Sequence, residues 1–462
     1  MQQQFNRRKG LARTVRAFVE PLETRQLLTI AFPTYLLGPD QTTEPIAAAA
    51  DRDGNVLILG SFSGNVDFNP SSRRTYNVDG GSGDSVFVAK YSPAGGLYWV
   101  MPFVDGANGL AAPNLQAITV DKRGNFFLSG TIDQDVDADP WRKTRVRSSV
   151  SGGTDVIAFR FSADGAFAGA SVQAVPNGGN AASAEQLKLD AAGNLFVAGG
   201  QTSGQDYLAK FSAVTTPAWI TLVPDTRAPR LGIDRSGNPA VVAQTSTAAS
   251  MAITRFTSGG RYLSRQVLTT SAAPGGTVQP ASLDFDASNY PVIAGNLTGY
   301  ADFNPSNLDA HVLGPIQPTD AFSNIFLSRY TPKGTMNFAE FIGGTGPDFT
   351  TGATIDRDSG DIYLTGSFND LVDFDPGRGA YIMDTGNHVD SADAPSDLFV
   401  AKYTGAGNFA SAAQLEAPDI RDDAVTFALA PANAATARVY VLGLSTGFRN
   451  GEQAVSILET VR

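Results

Sequence analysis

The sequence predicts an all-β fold assembled from repeats, and three observations predict it. A unit of four strand-length runs recurs along the 462 residues. Its turn aspartates, Asp51, Asp121, Asp190, Asp234, Asp286 and Asp356, are spaced by 70, 69, 44, 52 and 70 residues. The chain opens on an orphan strand-like run, and its last copy has three runs and no fourth. One such unit cannot bury its apolar face alone, so tandem copies must pack on each other. Four strands per unit favour radial closure, which leaves only short protected edges. The expectation is a seven-bladed β-propeller of four-stranded blades, closed by an N-terminal strand that completes the last blade.

The copy from Gly352 to Gln414 states the unit most clearly. An apolar run ends on Asp356, and a turn through Gly360 follows. Then come the alternating run Ile362 to Phe368, the segment Val372-Asp373-Phe374-Asp375-Pro376, a polar insert, and the run Asp397 to Tyr403. A final run starts at Phe409. Each run is rich in β-branched and aromatic residues and is bounded by Gly, Asp, Asn or Pro. The first copy repeats it with Gly60-Ser61-Phe62, Val66-Asp67-Phe68-Asn69-Pro70 and Phe87-Val88-Ala89-Lys90-Tyr91. Copies three and four, at 185–224 and 229–270, are lean and lack the Asp-Phe-Asn-Pro segment with its insert. Pro239 stands where strand two of copy four should start, a place a strand tolerates. A degenerate seventh copy runs from Val425 onward. A ring of six would follow if copies three and four merged. The orphan run at 29–37 corresponds to the fourth strand of copy one, Leu97 to Phe103.

The units resemble the bacterial seven-bladed propeller repeat, in copies one, five and six above all. The resemblance covers about residues 40–462. It implies a ring at the cell surface or outside the cell, and it implies no reaction.

Composition fits. The 48 Gly and 26 Pro suit turn-dense β structure, and 42% hydrophobic content supports a core. With no Cys there are no disulfides and no thiolate chemistry. The net charge is −11, yet residues 1–29 carry six basic groups against two acidic ones. An acidic body disfavours phosphate-backbone partners, so nucleic acid is excluded. No apolar stretch reaches the ~18 residues of a membrane helix.

Residues 1–28 read as a separate basic leader, largely disordered, before a single domain at 29–462. Leu22-Glu23-Thr24-Arg25-Gln26-Leu27-Leu28 resembles the N-terminal Leu-Glu-Pro-Arg-x-Leu-Leu segment of large bacterial surface proteins. The family's Pro is Thr24 here. The resemblance implies a surface-sorting segment.

The recurring Asp-aromatic-Asp/Asn-Pro is the most specific local feature. In a strand, residues i and i+2 share a face, so Asp67 with Asn69, Asp302 with Asn304, and Asp373 with Asp375 each project two oxygens together. Such pairs could begin a calcium site, although calcium takes ~6–8 oxygens. The competing and favoured expectation is that they hydrogen-bond their own backbone to start a turn while the Phe packs between blades. The two histidines, His311 and His388, form no cluster, and no nucleophile-elbow motif is present. Gly343-Gly344-Thr345-Gly346 lacks the Lys of a phosphate cradle and reads as a blade-to-blade turn. The recurring Lys90-Tyr91, Arg329-Tyr330 and Lys402-Tyr403 pairs read as blade architecture.

The functional expectation is a non-enzymatic, exported or surface-associated propeller that acts as a monomeric binding or scaffold module. Its partner is an envelope or extracellular protein or polysaccharide, met through exposed patches on the inserts such as Trp141 to Arg147. No catalytic residue and no cofactor are assigned, calcium being the one metal entertained. The alternative is an extracellular polysaccharide hydrolase or lyase with unlike carboxylates at the channel mouth.

Overall fold

The computed structural model describes backbone between residues 42 and 461, apart from short intervening stretches, and side chains between 43 and 414. Within it the chain folds as a β-propeller with six four-stranded blades. Blade one is Thr42–Ala50, Val56–Ser63, Ser85–Tyr91 and Leu97–Phe103. Blade two is Asn114–Val120, Phe126–Ile132, Asp155–Phe161 and Phe167–Gln173. Blade three is Gln186–Leu189, Leu195–Gly200, Asp206–Ser212 and Thr216–Val223. Blade four is Arg227–Ile233, Pro239–Gln244, Met251–Phe256 and Tyr262–Val267. Blade five is Thr277–Phe285, Pro291–Thr298, Ser323–Tyr330 and Met336–Gly344. Blade six is Phe349–Ile355, Ile362–Phe368, Asp397–Tyr403 and Phe409–Leu415. Each sheet runs antiparallel in sequence order from the innermost strand outward.

The expectation of seven four-stranded blades is corrected. The seventh copy forms a three-stranded sheet, Ile420–Ala430, Arg438–Gly447 and Gln453–Val461. Its first strand lies against the innermost strands of blades six and one. The strand expected at 29–37 and the leader at 1–28 lie outside the described residues. Copies three and four do not merge, because each has its own innermost strand. Pro239 opens the second strand of blade four, and the ladder to the third strand starts one residue later, at Ala240 with Arg255.

The Asp turn explains why the repeat is so regular. Asp51 Oδ1 accepts from the backbone N–H of Asp53 and Asn55, at 3.0 and 2.9 Å, and its Oδ2 accepts from Asn55 Nδ2 at 2.9 Å. Asp121, Asp190 and Asp234 make the same three bonds. Gly54 has φ 79°, a left-handed conformation that glycine adopts at little steric cost.

The Lys-Tyr pairs recur for a register reason. In all six blades the ladder to the outer strand slips at this pair, as at Lys90/Tyr91 and Lys402/Tyr403. The cation then meets the turn carboxylate of its own blade: Lys90 Nζ lies 3.0 Å from Asp51, and Lys402 Nζ lies 2.7 Å from Asp361. The aromatic ring is buried.

Between strands two and three, blades one, two, five and six carry a small hairpin that begins at the Asp-aromatic-Asn segment or its variant. Phe68, Phe303 and Phe374 are buried, Phe68 among residues of its own blade, Phe303 among those of blades four and five, and Phe374 among those of blades five and six. In blade six the hairpin also joins the preceding blade, with Gly343 and Gly344 pairing with Asp373 and Val372. A Cβ on Gly344 would lie 1.5 Å from the Leu371 carbonyl oxygen, so the glycine pair serves this close approach.

Candidate functional site

The residues singled out in the sequence sit in three different blades, and the fold does not bring the three pairs together. Asp67 Oδ1 accepts from the N–H of Asn69 and Tyr76 at 2.9 and 2.7 Å. Asp302 Oδ1 accepts from Asn304 and His311 at 2.8 and 2.9 Å, and Asp373 Oδ1 from Asp375 and Tyr381 at 3.0 and 2.9 Å. Asn69 and Asp375 accept from Ser71 and Gly377 in turn, and Asn304 Nδ2 donates to the Asp309 carbonyl. One oxygen of each aspartate thus staples the two ends of its hairpin. Each pair offers two side chains, against the ~6–8 oxygens that calcium takes. Among the described residues no three His, Asp or Glu are grouped to hold a metal.

In the blade-two insert Thr144, Arg145 and Val146 are exposed, whereas Trp141 is not free to meet a partner. Its indole N–H donates to the Val100 carbonyl at 3.1 Å, its ring packs edge-on to Trp99 at 5.2 Å, and it is half-buried against the core. It anchors the insert to blade one.

What repeats in every blade serves the blade, so the informative residues are those that break the repeat. One row lies on the third strand, just before the residue opposite Gly60, Gly130, Gly199, Ala243, Gly295 or Gly366. It reads Val86, Val156, Asp206, Met251, Ile325 and Leu398, all buried. Five apolar side chains fill seams there, and the sixth position holds a carboxylic acid only 3% exposed.

A second row lies on the innermost strands, opposite Leu59, Ser129, Ala198, Val242, Ala294 and Thr365. It reads Ala47, Ala117, Gln186, Arg230, Ser282 and Gly352. Four of the six are small, Gln186 is polar and neutral, and Arg230 is the one charge. The two exceptions come from neighbouring blades, three and four, close enough to feel each other's charge, at the end of the ring that carries the inserts elsewhere.

The local backbone is strained at one point: Ala228 has φ 53°, a costly value for a residue with a Cβ, inside the one-residue ladder slip that blades one, two, five and six also carry just before this row. The slip turns Arg230 so that its Nε donates to the Ala281 carbonyl of blade five at 3.0 Å and its Nη1 to the Pro229 carbonyl at 3.1 Å. Nη2 carries no hydrogen bond within the described residues.

Asp206 Oδ2 is buried without a hydrogen-bond partner. Burial pushes its pKa up to about 6; the Thr226 hydroxyl and the Arg230 guanidinium offset part of that, and Glu185 adds to it. Burial also lowers the Arg230 pKa, against Glu185 and Asp206, which raise it. Gln201 Nε2, at the same end of blade three, is a second buried polar atom without a partner. The seam therefore holds a guanidinium, a carboxyl that is hard to ionise, and spare donor and acceptor capacity. Glu185 is exposed beside it. Such a set can bind a ligand that both donates and accepts hydrogen bonds.

No protein-family model matches the chain, and no curated protein matches it. Its fold is similar to that of several solved structures. The BP39L lectin from Burkholderia pseudomallei superposes with a TM-score of 0.45 at 11% identity, over 90% of this chain and 99% of the lectin. The Dos1 propeller gives 0.43 at 10% identity, over 91% and 95%. A catalytically inactive virginiamycin B lyase from Staphylococcus aureus gives 0.41 at 8% identity, over 92% and 98%. At such identities the likeness concerns fold alone, and it is the order of its own sheets that makes this chain a β-propeller.

Proposed function

We propose that the protein is a non-enzymatic, exported or surface-associated binding or scaffold module, and that the seam of blades three and four is its ligand site. One observation carries the reading. Every carboxylate that repeats around the ring is committed to its own turn, whereas Asp206 and Arg230 interrupt rows of apolar and small residues. A buried acid without full hydrogen bonding costs stability, on the order of 1–3 kcal/mol, and such a cost is kept where function needs it. The partner is an envelope or extracellular polysaccharide or protein, and the reading needs no cofactor.

The proposal extends to the parts outside the described residues. Residues 1–28 act as a sorting leader. Residues 29–37 complete the three-stranded sheet as a seventh blade, which makes 29–462 one monomeric ring. A sequence parallel supports this closure: Gly38-Pro39-Asp40 precedes the first strand of blade one as Gly346-Pro347-Asp348 precedes that of blade six.

The test is sedimentation of the full chain with bacterial envelope material and with insoluble polysaccharides, for the wild type and Arg230→Met. Binding that falls at least tenfold in Arg230→Met supports the reading. Binding that is absent, or indifferent to the substitution, sinks it. A second reading, a polysaccharide hydrolase or lyase, is favoured by the buried Asp206 beside the exposed Glu185, since two acids in unlike surroundings suit acid–base work. Release of reducing ends or unsaturated products, abolished in Asp206→Asn, would decide for it.

A further inference from the structure

A different surface carries a second inference, and it rests on one row of outer-strand carbonyls. The row is defined by register: Val100, Ala170, Ile220, Arg265, Ala339 and Ala412 occupy the same position on the outer strands of blades one to six. In four blades an insert side chain meets this carbonyl from outside. Trp141 Nε1 donates to Val100 at 3.1 Å, Arg147 Nε to Ala170 at 3.4 Å, and the Tyr381 hydroxyl to Ala412 at 3.1 Å, while His311 Nε2 lies 2.9 Å from the Ala339 carbonyl. Four chemically different side chains from three inserts, Trp141 and Arg147 both from that of blade two, converge on one task, which is to cap the open edge of an outer strand.

Blades three and four lack inserts. Among the described residues the carbonyls of Ile220 and Arg265 receive no such cap. The core has adjusted to the loss. The second-strand position two residues beyond the Gly60 row is apolar in the insert-bearing blades, at Phe62, Ile132, Leu297 and Phe368, and polar in the lean ones, at Gln201 and Thr245. The outer strand of blade four pairs only with Met251–Phe256, and it exposes Tyr262 (51%), Leu263 (46%) and Val267 (43%). An uncapped edge with exposed apolar side chains is a template for another strand.

Charge indicates the occupant. Residues 225–270 hold six arginines and two aspartates in a chain of net charge −11. Arg261 is exposed at the start of this edge strand, and Arg265 lies on it, paired to the exposed Asp225 at 2.9 Å.

We propose that the outer strand of blade four, Tyr262–Val267, docks an extended acidic polypeptide segment of a partner protein by adding it as a fifth strand. The backbone of that segment bonds the open edge, and its carboxylates meet Arg261 and Arg265. This mode of recognition draws affinity from main-chain bonds and specificity from alternate side chains.

The chain has no Cys, so Leu263→Cys in the full chain accepts one environment-sensitive fluorophore. Two blocked ten-residue peptides serve as probes, one alternating Asp with Val and Tyr, the other with Lys in place of Asp. The proposal expects saturable binding of the acidic peptide at least tenfold tighter than the basic one. It also expects a tenfold or greater loss in Arg261→Glu/Arg265→Glu, with folding of that variant checked by circular dichroism. Equal binding of the two peptides, or no binding, overturns it. So does concentration-dependent self-association of the unlabelled chain in sedimentation velocity that Arg261→Glu/Arg265→Glu abolishes, because the edge would then belong to a second copy.

Discussion

The Tyr403 hydroxyl donates to the Phe374 carbonyl at 2.9 Å, so the last residue of the third strand in blade six holds down the hairpin inserted before that strand. Tyr91 does the same to Phe68 at 3.1 Å in blade one, and Tyr330 to Phe303 at 3.3 Å in blade five. Two motifs that recur far apart in sequence are thus halves of one device. Burial raises the Tyr403 pKa well above the usual phenol range, with Asp375 and Asp373 adding to it, so the hydroxyl stays a donor at ordinary pH.

Tyr403→Phe should therefore leave a buried carbonyl unpaired while keeping the ring's packing. The expected loss is about 1–2 kcal/mol, read from the shift of a urea unfolding curve. Tyr381→Phe, whose hydroxyl bonds Ala412 at an exposed edge, should cost less. Equal losses would mean that the Phe374 bond has no special part.

Much of this fold is legible in the sequence because local chemistry repeats with it. The Asp turn demands Asp, Gly and Asn at fixed offsets, and the hairpin demands Asp-Phe-Asn-Pro. The candidate site is not legible in that way. Gln205-Asp206-Tyr207-Leu208-Ala209-Lys210 looks like another copy of Asp397-Leu398-Phe399-Val400-Ala401-Lys402. Yet Asp206 lies four residues before its Lys, and Asp397 lies five before its own. That single offset turns the carboxyl from the insert side of the strand into the seam, where it takes the place of Leu398. The offset was the available signal, and register alone gives it meaning. Arg230 was hidden for a related reason, since only the ladder slip before it, matched by the slips before Ala47 and Ser282, places it in their row.

Asp373→Ala should free the N–H groups of Asp375 and Tyr381 and loosen the blade-six hairpin, at a cost of about 1–3 kcal/mol. The thermal midpoint of the wild type should be the same, within about 1 °C, in millimolar calcium or in chelator. A calcium-dependent rise that Asp373→Ala removes would return these motifs to the metal sites they resemble.

Lys90→Met tests the turn from the other side. Burial works to raise the Asp51 pKa, but hydrogen bonds from Asn55 and Lys90 outweigh it and hold it below the usual carboxylate value. A depressed pKa contributes stability at neutral pH that is lost as pH falls through the acid range. Both partners are buried, so removing the cation leaves an uncompensated charge and should cost about 3 kcal/mol at pH 7. The penalty should shrink by pH 3. A pH-independent penalty would assign the loss to the lysine stem rather than to its charge.

Asp206 should behave in the opposite sense. Its folded-state pKa, about 6, lies above the ordinary carboxylate value of 3.8. Below about pH 3 the acid is neutral in both folded and unfolded chains and costs nothing. As pH rises from about 3 to 6 the unfolded chain ionises first, so folding loses stability, and the loss persists above pH 6. Two units at 1.36 kcal/mol each set it at roughly 3 kcal/mol. Asp206→Asn should therefore match the wild type at about pH 3 and exceed it at pH 7.5, by about 2–3 kcal/mol in the urea midpoint converted with a common slope. Saturating ligand at the seam should narrow the gap at pH 7.5, because a bound donor would satisfy Oδ2 in the wild type and not in the amide variant. If Asp206→Asn is no more stable at pH 7.5, the carboxyl already has what it needs, and the seam loses its claim to be a ligand site.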